Sequence, residues 1–536
     1  MSKKYTQEEL ANMSSETKDL LIITLQDQLE NLSASIEKLT EQIRIANQYR
    51  FGRHSEKMDV IDGQLSLFNE AEALYDPETA EPDLDDVLPA KPKKKKTKGK
   101  RDLDLDAFEK EPILHDVSEE ELESFFGKGN WKTMPDEEYK RLRHIPAKWI
   151  TEVHTVKVYV GTGGEHQDEF YRGDRPKDLL RNSILTPSLA AAILNGKYVN
   201  SIPLYRIEQE FQRNTVNISR QDMANWCIKL AEYYFKPFCE RLKYHLLKLH
   251  INQCDETPVQ VINSDSSKPY MWVHRSGEFY KERQIVLYEY QNGRAHTHPL
   301  EYYKGYKGVL VTDGLQQYHL IEKKLPGLRN ANCWAHARRS FSDALKAASR
   351  DLKKDPGGAR NTIAYQALLR IGTIYNLEGT LKDLTPEERL RVRQESIKPL
   401  VDEYFTWVKE CLSSALPKGK TAEGLHYSIN QEEYLRLFLE DGEIPIDNSA
   451  SERAIRTFCV GKKNWLFFDT ENGANAGSSI YSITETAKIN NLHPYKYLEF
   501  ILTELPKYRD SDGNIDNDKL ERLMPWSTEL PDECRK

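Results

Sequence analysis

The chain has no CxxC pair, no apolar signal core in its opening MSKKYTQEEL, and no run near the ~20 apolar residues of a membrane span. Its seven cysteines (Cys227, Cys239, Cys254, Cys333, Cys411, Cys459, Cys534) are scattered and odd in number, which excludes a zinc ribbon and a disulfide framework. A reducing, cytoplasmic setting without a membrane is expected. An excess of positive charge is also lacking. Lys and Arg total 76 against 84 Asp and Glu, a net charge of −8, so no global basic field advertises nucleic acid. Any such contact must come from local patches. At 536 residues, with 39% hydrophobic and 30% charged, the chain should fold as several domains, because single cores stop growing at roughly 250–300 residues.

What is present changes character along the chain. In residues 15–48, Ile22, Leu25, Leu29, Leu32, Ile36, Leu39, Ile43 and Ala46 step by threes and fours, the seam of a coiled coil. A basic-aromatic tail, Tyr49 to Lys57, follows, and residues 1–65 are read as a dimerisation helix with that tail. Residues 66–104 are read as a disordered linker whose acidic half runs into KPKKKKTKGKR, Lys91 to Arg101. Residues 105–180 form a small domain in which Thr151 to Val160 alternates like a strand. Residues 181–245 read as helices at Pro187 to Leu194 and Leu204 to Phe211, then a helix capped at Ser219. Helix, turn and capped helix, with Arg220 and Gln221 leading, resembles a helix-turn-helix, although any helical hairpin has the same outline.

Residues 246–339 turn to strands. Leu249 to Cys254, Tyr270 to His274 and Gln284 to Tyr290 precede a helix at Thr297 to Tyr303. A buried strand, Gly308 to Thr312, ends at Asp313, and Leu328 to Cys333 leads into a basic helix carrying His336, Arg338 and Arg339. Three strands, helix, strand, helix, strand is the order of a ribonuclease-H-like core. Residues 340–440 interrupt it with a helical insertion too long for a loop. Residues 441–480 resume the core, and 481–536 form a C-terminal helical segment. The fold class expected is multidomain α+β: coiled coil, helical DNA-binding region, and ribonuclease-H-like α/β catalytic core broken by a helical insertion.

The chemistry gathers in three carboxylates. Asp255 is expected to close the first strand, Asp313 the fourth, and Glu452 starts a short helix in DNSASERAIRTFCVGKKNWLFF. Side by side, such groups repel unless cations join them. Two Mg²⁺ ions, with Mn²⁺ as a substitute, would do so through oxygen ligands. Arg453, Arg456, Lys462, Lys463 and Trp465 follow Glu452 and suit phosphates and bases. Singly, each Asp is an ordinary strand-end residue, and Ser449 with Glu452 fits a capping box. Glu256 should point to the opposite side of an extended chain from Asp255. Cys333-Trp-Ala-His336 supplies two ligands where structural zinc wants four, so no zinc is expected; His336 would support the carboxylates or pack in the core.

Asp255-Glu-Thr-Pro, Thr312-Asp-Gly, Cys333-Trp-Ala-His-Ala-Arg-Arg, Asp447-Asn-x-x-x-Glu-Arg-Ala-Ile-Arg and Gly461-Lys-Lys-Asn-Trp resemble the transposase of the insertion-sequence sixty-six family. Arg50-Phe-Gly-Arg-x-Ser-Glu-Lys and Gln64-Leu-Ser-Leu-Phe extend the likeness to the N-terminal region. The resemblance implies a DDE transposase with Asp255, Asp313 and Glu452 as its triad, acting on the terminal inverted repeats of a bacterial mobile element. Its partners would be double-stranded DNA, both element ends and target, and further copies of itself through the coiled coil. The family usually carries a cysteine-rich zinc segment ahead of its helices, whereas residues 105–180 contain no cysteine. Two alternatives stand beside this reading: a metal-dependent nuclease of the same fold, and a catalytically silent DNA-binding protein of transposase origin.

Overall fold

The computed structural model describes residues 177–352 apart from 267, residues 361–414 and 418–536, short stretches between 118 and 173, and isolated positions before them. Apart from single positions, the heptad helix, the Tyr49–Lys57 tail and the charged linker lie outside the described residues. The chain divides into two units, Ser55–Arg175 and the remainder. In the smaller, helix α1 (Glu119–Phe126) is capped by Ser118, whose Oγ accepts the Glu121 amide. Strands β1 (Val158–Val160) and β2 (Phe170–Arg172) pair antiparallel. The alternating run from Thr151 predicts a longer strand than the three residues that find partners.

The larger unit begins with helices α2 (Pro187–Leu194), α3 (Leu204–Arg213), α4 (Arg220–Leu230) and α5 (Lys236–Leu246). Thr186 caps α2 with Pro187 in its first turn, and Ser219 caps α4, accepting the Asp222 amide at 3.1 Å. Ile207 and Phe211 of α3 and Met223, Cys227 and Leu230 of α4 are buried, so the helix–turn–capped-helix pattern becomes a packed pair.

The sheet follows: β3 (Ile251–Pro258), β4 (Val261–Asn263), β5 (Tyr270–Ser276), β6 (Val286–Gln291), helix α6 (Thr297–Tyr302), β7 (Gly308–Thr312), helix α7 (Gln316–Lys324) and β8 (Leu328–Asn332). Five strands lie in the order β6-β5-β3-β7-β8. The pairs β6–β5 and β5–β3 are antiparallel; β3–β7 and β7–β8 are parallel, with α6 carrying the chain from β6 to β7 and α7 crossing from β7 to β8. One expectation needs correcting. The first strand does not stop before Asp255 but runs to Pro258, because β5 pairs with it as far as Pro258↔Tyr270.

Next come α8 (Trp334–Leu352), α9 (Ile363–Gly379), α10 (Pro386–Val392), α11 (Lys398–Ser414), α12 (Lys420–Asn430) and α13 (Glu432–Leu435). Then α14 (Ser449–Trp465), β9 (Phe468–Thr470), α15 (Glu471–Ile489), α16 (Pro494–Tyr508) and α17 (Asn517–Glu521) complete the chain. β9 pairs with β4 in a separate two-stranded ladder that the sequence did not announce.

Alternation along the strands divides the sheet between two cores. Cys254, Leu310 and Leu328 join α2–α5 and the C-terminal helices. Ile251, Val309, Val311 and Ala331 join Trp334, Phe341, Tyr404 and Phe405 of α8 and the insertion. The insertion therefore shares its core with one face of the sheet. Among the described residues no helix is long and apolar enough to cross a membrane.

Candidate active site

Parallel pairing of β3 with β7 runs from Ile251↔Val309 to Gln253↔Val311. Continued by two residues, that register sets Asp255 level with Asp313. Both follow the parity of Ile251, Val309 and Val311, so both belong to the face that meets the insertion. They lie toward the carboxyl ends of parallel strands, where open sheets place ligands. Asp255 Oδ1 accepts the Glu256 amide at 2.9 Å; Asp313 Oδ1 accepts the Leu315 amide at 3.1 Å. Gly314 makes the turn at φ +81°, and a Cβ there would sit 2.6 Å from Tyr427 Oη. Tyr427 of α12 in turn donates to the Asp313 carbonyl at 3.0 Å, so the insertion holds this loop.

Burial raises the Asp255 carboxyl well above its ordinary range, and the charges of Glu256, Asp313 and Glu452 add to it. Asp313 is pushed up to about 6 by burial and Glu256, against the pull of Arg294 and Arg339. Glu256 itself faces away, as its parity predicts. Its buried carboxylate accepts from Arg294 Nε, Gln317 Nε2 and Tyr318 Oη. Arg294 also brings Nη2 to 3.9 Å from Asp313 Oδ2. None of these three partners carried a signal in the sequence, because Arg294 comes from the loop after β6 and Gln317 and Tyr318 from α7, all far from Glu256 along the chain.

Glu452 stands in the first turn of α14, whose N-cap is Asn448 rather than Ser449. Asn448 is fully buried: Gln253 Nε2 donates to its Oδ1 at 3.2 Å, and its Nδ2 donates to the Cys254 carbonyl at 2.9 Å. Arg275 Nη1 donates to the Ala450 carbonyl at 3.0 Å. Asp447 accepts the Ser449 amide at 2.9 Å and the Tyr375 hydroxyl at 3.0 Å. These bonds fix the helix start against β3 and β5. Replacing Asn448 with Ala removes one of the two acceptors of Gln253 Nε2 and the Asn448 donor to the Cys254 carbonyl, and should cost about 1–3 kcal/mol. A thermal melt of N448A against wild type measures it.

The Glu452 carboxylate is engaged by Arg339 Nη2 at 3.2 Å, and His336 Nε2 lies 3.9 Å away. Burial and Arg339 press His336 down to about 4, so it is neutral at pH 7. Arg339 Nη1 lies 3.1 Å from its Nε2. Cys333 Sγ accepts the Asn448 amide, a packing role. Asp255, Asp313 and Glu452 do not draw together into a set with all ligand atoms within 4.8 Å. Among the described residues the grouping that does is His250, Asp441 and Glu443, on the side where β3 begins. There His250 Nε2 pairs with Asp441 Oδ2 at 2.7 Å.

The expected DNA-facing residues divide by surroundings. Arg220 and Gln221 are exposed at the start of α4, Arg220 with its guanidinium 5.7 Å from the Tyr205 ring. Arg338 is half-buried near Tyr375, and burial lowers its pKa. Arg453 pairs with Glu278 at 2.6 Å, and Lys462 Nζ donates to the Pro258 carbonyl at 2.6 Å. Arg456 and Lys463 are exposed. Trp465 is turned inward, packed on Phe458 and Phe468 with ring centroids 5.7 and 4.5 Å away.

A mixed sheet with level carboxylates beside a rim of arginines and lysines has the outline of a protein that works on nucleic acid. The comparisons specify which. Residues 182–476 match the family described as Transposase IS66 family, residues 482–526 the IS66 C-terminal element, and residues 38–107 "Transposase C of IS166 homeodomain". The first match covers more than half of the chain, and the chain belongs to the Transposase IS66 family. It is similar to "Uncharacterized protein y4qI" of Sinorhizobium fredii (strain NBRC 101917 / NGR234), 27% identical over 402 residues, covering 72% of this chain and 70% of that one. "Uncharacterized protein y4hP" of the same organism is 26% identical over 349 residues, covering 63% of this chain and 62% of its own length.

Proposed function

We propose that this transposase cuts and rejoins DNA at the ends of an insertion sequence by three-carboxylate, divalent-metal chemistry. The observation that supports this most is the placement of Asp255 level with Asp313 on adjacent parallel strands, same face, both carboxyls raised by burial and by neighbouring acids. Such a pair repels until a cation joins it. With Glu452 brought in beside it, the pair would form an oxygen donor set suited to Mg²⁺ or Mn²⁺. When bound, a pair of such ions supplies an activated oxygen nucleophile and stabilises the departing 3′ oxygen.

The protein groups divide the remaining work. Asp255, on β3, and Asp313, in the turn just after β7 held by Tyr427, set the position of the scissile phosphate. Glu452 completes the set from α14 once Arg339 yields it, and Arg339 then takes a phosphate. His336, neutral, accepts from Arg339 and keeps its guanidinium in place. Arg453, Arg456, Lys462 and Lys463 track the backbone of the duplex, and Arg220 and Gln221 read a second stretch through the α3–α4 pair. The five-stranded sheet with its crossovers is read as a ribonuclease-H-like core, and the N-terminal heptads as the contact that pairs copies of the chain. The domain boundaries stated from the sequence are proposed on the same footing.

Mg²⁺-dependent nicking and joining of duplexes carrying the element's terminal repeats tests the reading. Cleavage without joining would make the protein a nuclease; binding without cleavage would make it a silent DNA-binding protein. A pH dependence follows as well. Because Asp313 titrates at about 6 when folded and near 3.8 when unfolded, its ionisation costs stability as pH rises through about 6. A cation offsets that cost only when the carboxylate is charged. The rise in melting temperature with added Mg²⁺ should therefore be small at pH 5 and grow through pH 6 to a plateau near pH 8. A shift independent of pH would place the ion elsewhere.

A further inference from the structure

Helix α14 does not end in an ordinary way. Its last residue is Trp465, and Leu466 follows at φ +69°, ψ −53°. The Phe467 amide donates to the Trp465 carbonyl at 2.9 Å, closing a γ-turn around Leu466. Glycine adopts this left-handed shape freely and leucine resists it. The turn presents two apolar side chains to solvent: Leu466 is 61% exposed and Phe467 44%. On either side the chain is anchored. Trp465 packs on Phe458 and Phe468, and Phe468 is buried where β9 pairs with β4. A strained turn carrying a large exposed apolar pair between fixed neighbours is the kind of local cost that functional sites retain.

The surface leading to this tip supplies its partner's chemistry. Arg453, Arg456, Val460 and Lys463 step by three and four, so they share one exposed stripe of α14, which leads toward the turn carrying Leu466 and Phe467. The charges along it are positive, with Arg453 also meeting Glu278; beyond the tip, Asp469 accepts from Asn263 Nδ2 at 3.1 Å. A cationic stripe that ends in Leu and Phe matches a duplex whose phosphates meet the cations and whose base stack admits the apolar pair.

We infer that Leu466 and Phe467 form a wedge that enters the DNA base stack and distorts the duplex at a set distance from the scissile phosphate. This rests on the transposase reading and adds to it a specific step, local unstacking of the bound DNA. Glu452 to Leu466 is fourteen residues of helix, roughly 21 Å. The distorted step therefore lies about six base pairs from the cut.

The test uses the full chain and duplexes whose recessed 3′-hydroxyl end fixes the register, each with a single 2-aminopurine between the third and ninth steps. Wild type should raise the fluorescence several-fold at one or two steps near the sixth. The double variant L466A/F467A should lose that rise and bind about tenfold more weakly. L466G, which relieves the backbone and keeps Phe467, should retain much of the signal, and melting curves establish that both variants fold. No rise at any step, in a protein that still cleaves DNA, overturns the wedge and leaves the transposase reading intact. Failure of wild type to bind any duplex at low salt overturns both. Should L466A/F467A instead lose self-association with its DNA signal unchanged, the pair is an interface between copies and the wedge is wrong.

Discussion

Asp255→Asn is expected to reduce Mg²⁺-dependent strand cleavage by on the order of 10³-fold or more while leaving duplex affinity within about threefold. Asparagine keeps the shape of the side chain and removes its charge, so under the proposed metal chemistry a divalent ion would lose an anchor between β3 and β7. The loss of several kcal/mol of charge stabilisation in the transition state sets the scale. The same substitution should stabilise the metal-free protein. The Asp255 carboxyl is raised well above its ordinary range by burial and by Glu256, Asp313 and Glu452. A raised folded pKa means that the neutral form suits the fold, so stability falls as pH rises above the carboxyl's unfolded value. Asparagine removes that cost, so D255N should melt higher than wild type without Mg²⁺ and gain less when Mg²⁺ is added. Activity and stability thus move in opposite directions, as expected where a fold holds like charges together for function. A variant that lost both would mark Asp255 as a structural residue, and full activity would remove it from the site.

Arg393→Ala should be the most destabilising single change in the insertion, at about 3–5 kcal/mol. Arg393 has no exposed side-chain surface, and its partner Glu378 only 6%. Its Nε and Nη2 hold both oxygens of Glu378, and its Nη1 donates to the Phe438 and Asp441 carbonyls at 2.8 Å each. Truncation leaves a buried carboxylate without its cation, takes the arginine donor from the Phe438 carbonyl, and leaves the Asp441 carbonyl only the Ile444 amide at 3.4 Å. Because the insertion shares its core with the Asp313 face of the sheet, the loss should reach the site through Tyr427 and Tyr375. Thermal melting followed by circular dichroism gives the shift. The double variant R393M/E378L, which removes both charges and keeps the volume, should recover much of it. Equal destabilisation by the double and single variants would mean that packing, not the ion pair, carries the effect.

The ladder of elements was legible because each signal is local. Pro187 and Thr186 start α2, Ser219 starts α4, and Gly308 to Thr312 reads as a buried strand in any context. Asp255, Asp313 and Glu452 were legible as candidates for the same reason, as acids beside strand or helix boundaries. Their surroundings were not. The partners of Glu256 lie at positions 294, 317 and 318, and Asp313 is held by Tyr427, more than a hundred residues away. Such contacts exist only after chain reversal, and no short-range pattern encodes them.

The sequence by itself determined the family, the alternation that sends Asp255 and Glu256 to opposite faces, and the order of the five main strands and their helices, because periodicity and turn chemistry act within a few residues. The tertiary structure alone decided three things. It put Asp313 level with Asp255, since register is set by pairing between strands. It gave Glu452 to Arg339 and tied its helix to β3 through Asn448, a network spanning almost two hundred residues of chain. And it turned Trp465 inward while leaving Leu466 and Phe467 in solvent, where α14 passes into β9 through the positive-φ turn at Leu466 and β9 pairs with β4.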